Sequence, residues 1–173
     1  MEVLPDDKTI WIQRGLVYAD LQEYHLAIDD FTEAIDIDPN CASAMFHMAT
    51  SRLKCGQVPQ AIIDFQTSAA VQPQPAIQDG LGQCHHKLHE FDKAILAFNS
   101  AISAENRNIE FLKHRSQCYY DMAKYQLCID DLSLALEINP FNQVALYKQG
   151  LAYYTFDKYK KAIATFKSAL RNN

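Results

Sequence analysis

Residues 91–102, FDKAILAFNSAI, place Phe91, Ala94, Ile95, Phe98, Ala101 and Ile102 at i, i+3, i+4, i+7, i+10 and i+11. That spacing gathers the apolar groups on one face of an α-helix. Asp92, Lys93, Asn99 and Ser100 fall on the other face. The same order of apolar and polar positions returns at YHLAIDDFTEAI (24–35), VPQAIIDFQTSA (58–69), YQLCIDDLSLAL (125–136) and YKKAIATFKSAL (159–170). The copies begin at Tyr24, Val58, Phe91, Tyr125 and Tyr159, so the gaps are 34, 33, 34 and 34 residues. One residue is missing between the second and third copies, near QPQPAIQDG. A period of this length is the mark of supersecondary units stacked side by side.

A second helical pattern precedes each copy, with slots of its own. In 8–21 these are Trp11, Gly15 and Tyr18, and in 143–156 they are Leu146, Gly150 and Tyr153. Pro39, Pro73 and Pro140 follow the second helices, where a chain that must leave the helix places proline. The unit is therefore helix, turn, helix, turn. Ten helices in five antiparallel pairs and no strand are predicted, the second helices near 24–37, 58–71, 92–104, 125–138 and 159–171. The repeats run 8–41, 42–74, 75–108, 109–142 and 143–173, a single array over 1–173.

These slots resemble the tetratricopeptide repeat, whose pattern is W-x2-L-G-x2-Y, then A-x3-F, then P. The Ala and Phe slots hold Ala27/Phe31, Ala61/Phe65, Ala94/Phe98, Cys128/Leu132 and Ala162/Phe166. Gly15, Ala49, Gly82, Ser116 and Gly150 fill the Gly slot; Tyr18, Arg52, His85, Tyr119 and Tyr153 fill the Tyr slot. Arg14, Arg115 and Gln149 depart from the usual Leu, and Asn106 from the third Pro. The resemblance spans residues 8 to 171. It implies an all-α fold, an α-solenoid of five helix–turn–helix repeats wound as a right-handed superhelix with a concave groove. Physically, small residues let two helices approach, and the aromatic fills the space beside them.

Composition agrees with a folded, water-soluble chain. Of 173 residues, 49% are hydrophobic, with nine Tyr and nine Phe, enough for a sizeable core. Net charge is −5, which disfavours a phosphate-binding surface and hence nucleic acid as a partner. No run approaches the ~18 apolar residues of a spanning helix, so no membrane insertion is expected. The start, MEVLPDDK, lacks the layout of a secretory leader. Five Cys without paired spacing predict free thiols and an intracellular, cytoplasmic setting.

Candidate chemistry is thin. In CHHKLHE (84–90), Cys84, His85, His86 and His89 invite a metal, but His85 and Cys84 occupy packing slots and HExxH is absent. Gly80 and Gly82 in DGLGQC lack the third glycine and preceding strand of a nucleotide loop. There is no G-x-S-x-G. No catalytic residue, metal or cofactor is expected, and Cys41 is the thiol expected to be most exposed.

Within the resemblance, first helices line a groove that takes a peptide or helix of another protein. The residues left over once packing slots are assigned are Ile12, Leu16, Phe46, Thr50, Lys54, Asp79, Gln83 and Lys87, then Lys113, Gln117, Tyr120, Tyr147, Leu151 and Tyr154. Tyr120, Tyr147 and Tyr154 either meet a partner or pack on neighbouring helices. Some family members grip a terminal carboxylate with Lys, Asn and Arg; the matching positions here, Ile12, Leu16, His47, Ala76 and Gly80, do not fit that clamp. An alternative role is structural: an array segment making its main contacts end to end, as part of a longer solenoid or an assembly. Residues 1–41 carry a net −8 and residues 143–173 a net +5. With Ile163, Phe166 and Leu170 on the last helix beside Lys160 and Lys161, head-to-tail self-association is a further expectation.

Overall fold

A computed structural model describes residues 7–171. It holds ten helices and, among the described residues, no strand: α1 (Asp7–Asp20), α2 (Tyr24–Ile37), α3 (Ala42–Lys54), α4 (Val58–Val71), α5 (Pro75–Lys87), α6 (Phe91–Ala104), α7 (Ile109–Asp121), α8 (Tyr125–Ile138), α9 (Gln143–Thr155) and α10 (Tyr159–Arg171). The second helices lie where the repeat pattern puts them, α6 beginning one residue earlier, at Phe91. None of the described helices is long and apolar enough to cross a membrane.

The turn inside each repeat is the same device five times over. Gln22, Gly56, His89, Ala123 and Asp157 all have positive φ, and they recur at the repeat spacing. A left-handed residue just past a helix lets the following amide reach back to an unpaired carbonyl. Glu23 N–H donates to the Tyr18 carbonyl at 2.9 Å, Gln57 to Arg52 at 2.8 Å, Lys124 to Tyr119 at 2.9 Å and Lys158 to Tyr153 at 2.8 Å. Only the second repeat uses glycine here. Turns between repeats lean on side chains instead. Asn108 Oδ1 accepts from the Glu110 amide and Asn142 Oδ1 from the Ala145 amide, capping α7 and α9.

The helices fall into two compact units, one ending at Leu88 and the other beginning at His89, so the division lies inside the third repeat as counted along the chain. In the first unit Phe31 packs with Ala27 and Met48. Phe65 packs with Ala49, Ala61, Ile77 and Cys84. In the second unit Leu132 sits with Leu112, Cys128, Ile129 and Ala135, and Phe98 with Ala94 and Cys118. Three glycines on first helices are sterically required. A methyl group added at Gly15 would lie 2.7 Å from the Phe31 ring, and additions at Gly80 and Gly150 would run into the rings of Phe65 and Phe166.

Two substitutions read these devices in opposite directions. Ala123→Gly, which relieves a left-handed alanine, should raise stability by about 1 kcal/mol. Gly15→Ala, which drives a methyl into Phe31, should lower it by about 1–3 kcal/mol. Urea unfolding measures both. A destabilised Ala123→Gly variant would contradict the turn geometry.

Candidate functional site

In the first unit, the leftover residues on α1, α3 and α5 are less available than their spacing suggests. Ile12 and Leu16 are half-buried against the Phe31 cluster. Phe46 meets the edge of Phe65 at 5.8 Å between centroids and of His47 at 5.3 Å, so most of its ring is committed to packing. Thr50 Oγ1 donates to the Phe46 carbonyl at 2.9 Å. Lys54 and Lys87 are exposed or half-exposed. Asp79 corrects the expectation of a lining residue: it is buried, and its carboxylate accepts from Gln83 Nε2 at 2.8 Å, one turn away on α5.

In the second unit, α7, α8 and α9 enclose a cavity of about 110 Å³ lined by Ser116, Gln117, Tyr120, Cys128, Lys148 and Leu151. Lys148 is half-buried; burial first, and then the neighbouring charge of Lys113, hold its ammonium below the usual lysine range. Lys148 Nζ donates to Gln117 Oε1 at 3.1 Å, and Gln117 Nε2 donates to Asp121 Oδ1 at 3.0 Å. Lys113 is held by Glu110, with Nζ 2.8 Å from both carboxylate oxygens. Tyr120 stands edge-on to Tyr125 at 5.5 Å, and Tyr154 edge-on to Tyr159 at 5.8 Å. Tyr147, 6.2 Å from Phe166, and Tyr154 are both exposed. Thus Gln117, Tyr120 and Leu151 meet at one cavity. Lys148, which the sequence places beside the groove residue Tyr147, completes it with Ser116 and Cys128.

The departures from the repeat pattern turn out to be paired. Arg14 Nε and Nη2 donate to Asp30 at 2.8 and 2.7 Å. Arg115 does the same to Asp131 at 2.8 and 2.5 Å, while its Nη1 donates to Asn99 at 2.6 Å. Arg52, in the Tyr slot, donates to Asp64 at 2.6 Å. Gln149 Nε2 donates to Ser133 Oγ at 3.0 Å. Burial pushes the carboxyls of Asp64 and Asp131 up from the ordinary value, with their arginines pulling back. The signal was in the sequence: wherever arginine stands in a first-helix slot, aspartate stands just before the aromatic or Leu slot of the second helix. The third repeat, with Leu81 and Ala97 in those places, has neither.

At the end of the chain, Ile163 and Leu170 are exposed, with Lys160 and Lys161 beside them. Phe166 is a correction to the expected patch. Its ring covers Gly150 on α9, inside its own repeat. Nucleophilic chemistry is muted. Burial raises the thiols of Cys84 and Cys128 to about 12 and that of Cys118 to about 11. Cys41 and Cys55 are half-buried, and all five cysteines are unbridged thiols. No group of three or more metal-ligating side chains comes together among the described residues.

Residues 9–41 and 144–173 match the sequence profile of the tetratricopeptide repeat, at opposite ends of the same chain. Those two segments are each matched as a tetratricopeptide repeat. Among its relatives is Hsp70-Hsp90 organizing protein 1 of Arabidopsis thaliana, 32% identical over 101 residues, which cover 52% of this chain and 18% of that protein. The chain spans less than a fifth of the length of the curated relatives it matches. In structure it is similar to TTC0263, a thermophilic TPR protein of Thermus thermophilus, with TM-score 0.82 at 18% identity over 95% of this chain and 91% of that one. It is also similar to YrrB, described as a TPR protein with an unusual peptide-binding site, with TM-score 0.70 at 16% identity over 94% and 84%. These likenesses fix the fold of the chain as all-helical repeats.

Arg115→Leu restores the usual residue of the repeat but strands a buried carboxylate; it should destabilise by about 3–5 kcal/mol. Adding Asp131→Ala copies the Leu81 and Ala97 pair of the third repeat and should recover most of that loss, measured by chemical unfolding as a double-mutant cycle. The thiols give a pH prediction. Their folded pKa values lie above the unfolded ones, so the native state keeps protons that the unfolded state loses. Stability is then full below the unfolded thiol pKa, about 8.5, and falls as pH rises toward 11 or 12. Cys128→Ala, volume-compatible with its slot, should flatten that alkaline limb; an unchanged slope would contradict the burial of this thiol.

Proposed function

We propose that the chain is a non-enzymatic interaction scaffold, working in the cytoplasm, that holds a peptide or helix of a partner protein against the first helices of its repeats. The observation that carries this reading is the cavity between α7, α8 and α9. It presents one half-buried ammonium, Lys148, one amide, Gln117, and the apolar bodies of Tyr120 and Leu151. A partly desolvated cation beside flat apolar surface suits an acidic side chain next to an apolar one. Its hydrogen bond to Gln117 is one that an entering carboxylate can replace. Exposed Tyr147 and Tyr154 on the same helix, α9, add area on which an extended segment can lie. The name of the Arabidopsis relative and the peptide-binding site named for YrrB support a partner that is protein. No cofactor, metal or nucleic acid enters this reading.

Selection from a displayed peptide library tests it. The wild-type chain should enrich peptides that share an acidic residue beside an apolar one. Lys148→Glu should weaken the selected peptides at least about tenfold, and Tyr120→Ala with Tyr154→Ala should do the same, with helical content unchanged by circular dichroism. Failure to enrich any peptide, or affinities indifferent to all three positions, would sink the proposal.

A further inference from the structure

The contact between α8 and α9 shows what one repeat asks of the next. On α8 a stripe of Gln126, Ile129, Ser133 and Leu136 faces α9; on α9 a stripe of Ala145, Gln149 and Ala152 faces back. Two bonds fix this register, Gln149 to Ser133 at 3.0 Å and Lys158 Nζ to Gln126 Oε1 at 2.9 Å. Ala145 and Ala152 are 0% exposed and Ile129 is 3% exposed. The residues equivalent to Ala145 and Ala152 in the second, third and fourth repeats are buried as well.

The same stripes occur at the two ends of the chain with nothing over them among the described residues. On α10, shifted by one repeat, the stripe is Lys160, Ile163, Lys167 and Leu170; Ile163 is 56% and Leu170 73% exposed. On α1 the stripe is Ile10, Arg14 and Val17; Ile10 is 53% and Val17 57% exposed. Four large aliphatic groups therefore stand in water at positions that the interior repeats bury wholly or in part. One face is the donor half, and the other the acceptor half, of the same contact. We infer that α10 docks on α1 of a second copy of this chain, a heterologous head-to-tail contact that repeats the packing of α8 on α9.

Charge supports that occupant. The Lys158–Gln126 bond translates to Glu23 of one copy facing Lys160 of the other, an opposite-charge pair. The acidic first repeat meets a last helix that carries Lys160, Lys161, Lys167 and Arg171 and no acid. One juxtaposition opposes it: the Gln149–Ser133 bond translates to Arg14 facing Lys167. Arg14 is already tied to Asp30, which moderates the repulsion, but the contact is weakened and made reversible by it. This inference is independent of the cavity on α7–α9.

Sedimentation velocity of the full chain across concentration and salt is the experiment. The wild type should self-associate, less so at high salt. Lys167→Glu, which places an acid opposite Arg14, should tighten association roughly tenfold. Glu23→Lys should loosen it, and Lys160→Glu in the same chain should restore it. Blocked halves make the decisive test. Val17→Lys alone and Ile163→Glu alone should each be monomeric, while their mixture should give a one-to-one dimer and nothing larger. All these positions are exposed, so circular dichroism should show the wild-type helix content. A wild type that stays monomeric, blocked variants that still self-associate, or a mixture that does not pair would each overturn the inference.

Discussion

The fold depends on one steric interlock. A first helix carries a residue with little or no side chain, and the aromatic or leucine of a second helix lies in the space so made. Gly15 against Phe31, Gly80 against Phe65 and Gly150 against Phe166 leave no room for a methyl group. Phe31, Phe65, Phe98 and Leu132 are fully or almost fully buried as a result. Because helices touch at such points, the remaining slots follow. Ala27, Ala61, Ala94, Cys128 and Ala162 must be small where the partner backbone comes close, and Cys128 serves as alanine with a sulfur attached. The left-handed turn residue then closes each pair at the angle that the interlock needs.

Arginine enters the first-helix slots of this interior paired with aspartate. A leucine slot can hold arginine because an aspartate stands on the facing helix before the aromatic, and both donors of the guanidinium fork are used. Such a pair does not outdo the apolar one it replaces; it makes each partner intolerant of losing the other. Arg115 also reaches Asn99 on the preceding repeat, so the pair links neighbours as well as the two helices of one repeat. Lys148 is different in kind. Its ammonium is partly desolvated and donates to a neutral amide, that of Gln117.

Stability in stacked repeats is a sum of terms within and between neighbours. Among the described residues, the first and last repeats are each packed on one side, and the slots that face outward keep their apolar side chains. Ile163 and Leu170 on α10, and Ile10 and Val17 on α1, are exposed for this reason and not through poor packing.

Periodicity alone determined the ten helices, the five repeats and the small and aromatic slots, because helix amphipathicity and close packing are local rules written at fixed intervals. It also carried the end faces, since those are interior slots without a neighbour. What it could not give was which leftover side chains stay available. Asp79 and Phe46 have groove spacing, yet one is buried beside Gln83 and the other is spent on Phe65. Phe166 looked terminal and turned inward over Gly150. The Arg–Asp pairs were legible only as a covariation among repeats of one chain, and their bidentate geometry was not. Gathering Gln117, Tyr120, Lys148 and Leu151 around one cavity required α7, α8 and α9 to be brought side by side, over sequence separations of about one repeat. Burial, hydrogen bonding and the displacement of an ammonium's pKa depend on atoms from several helices at once, and only the tertiary structure supplies those neighbours.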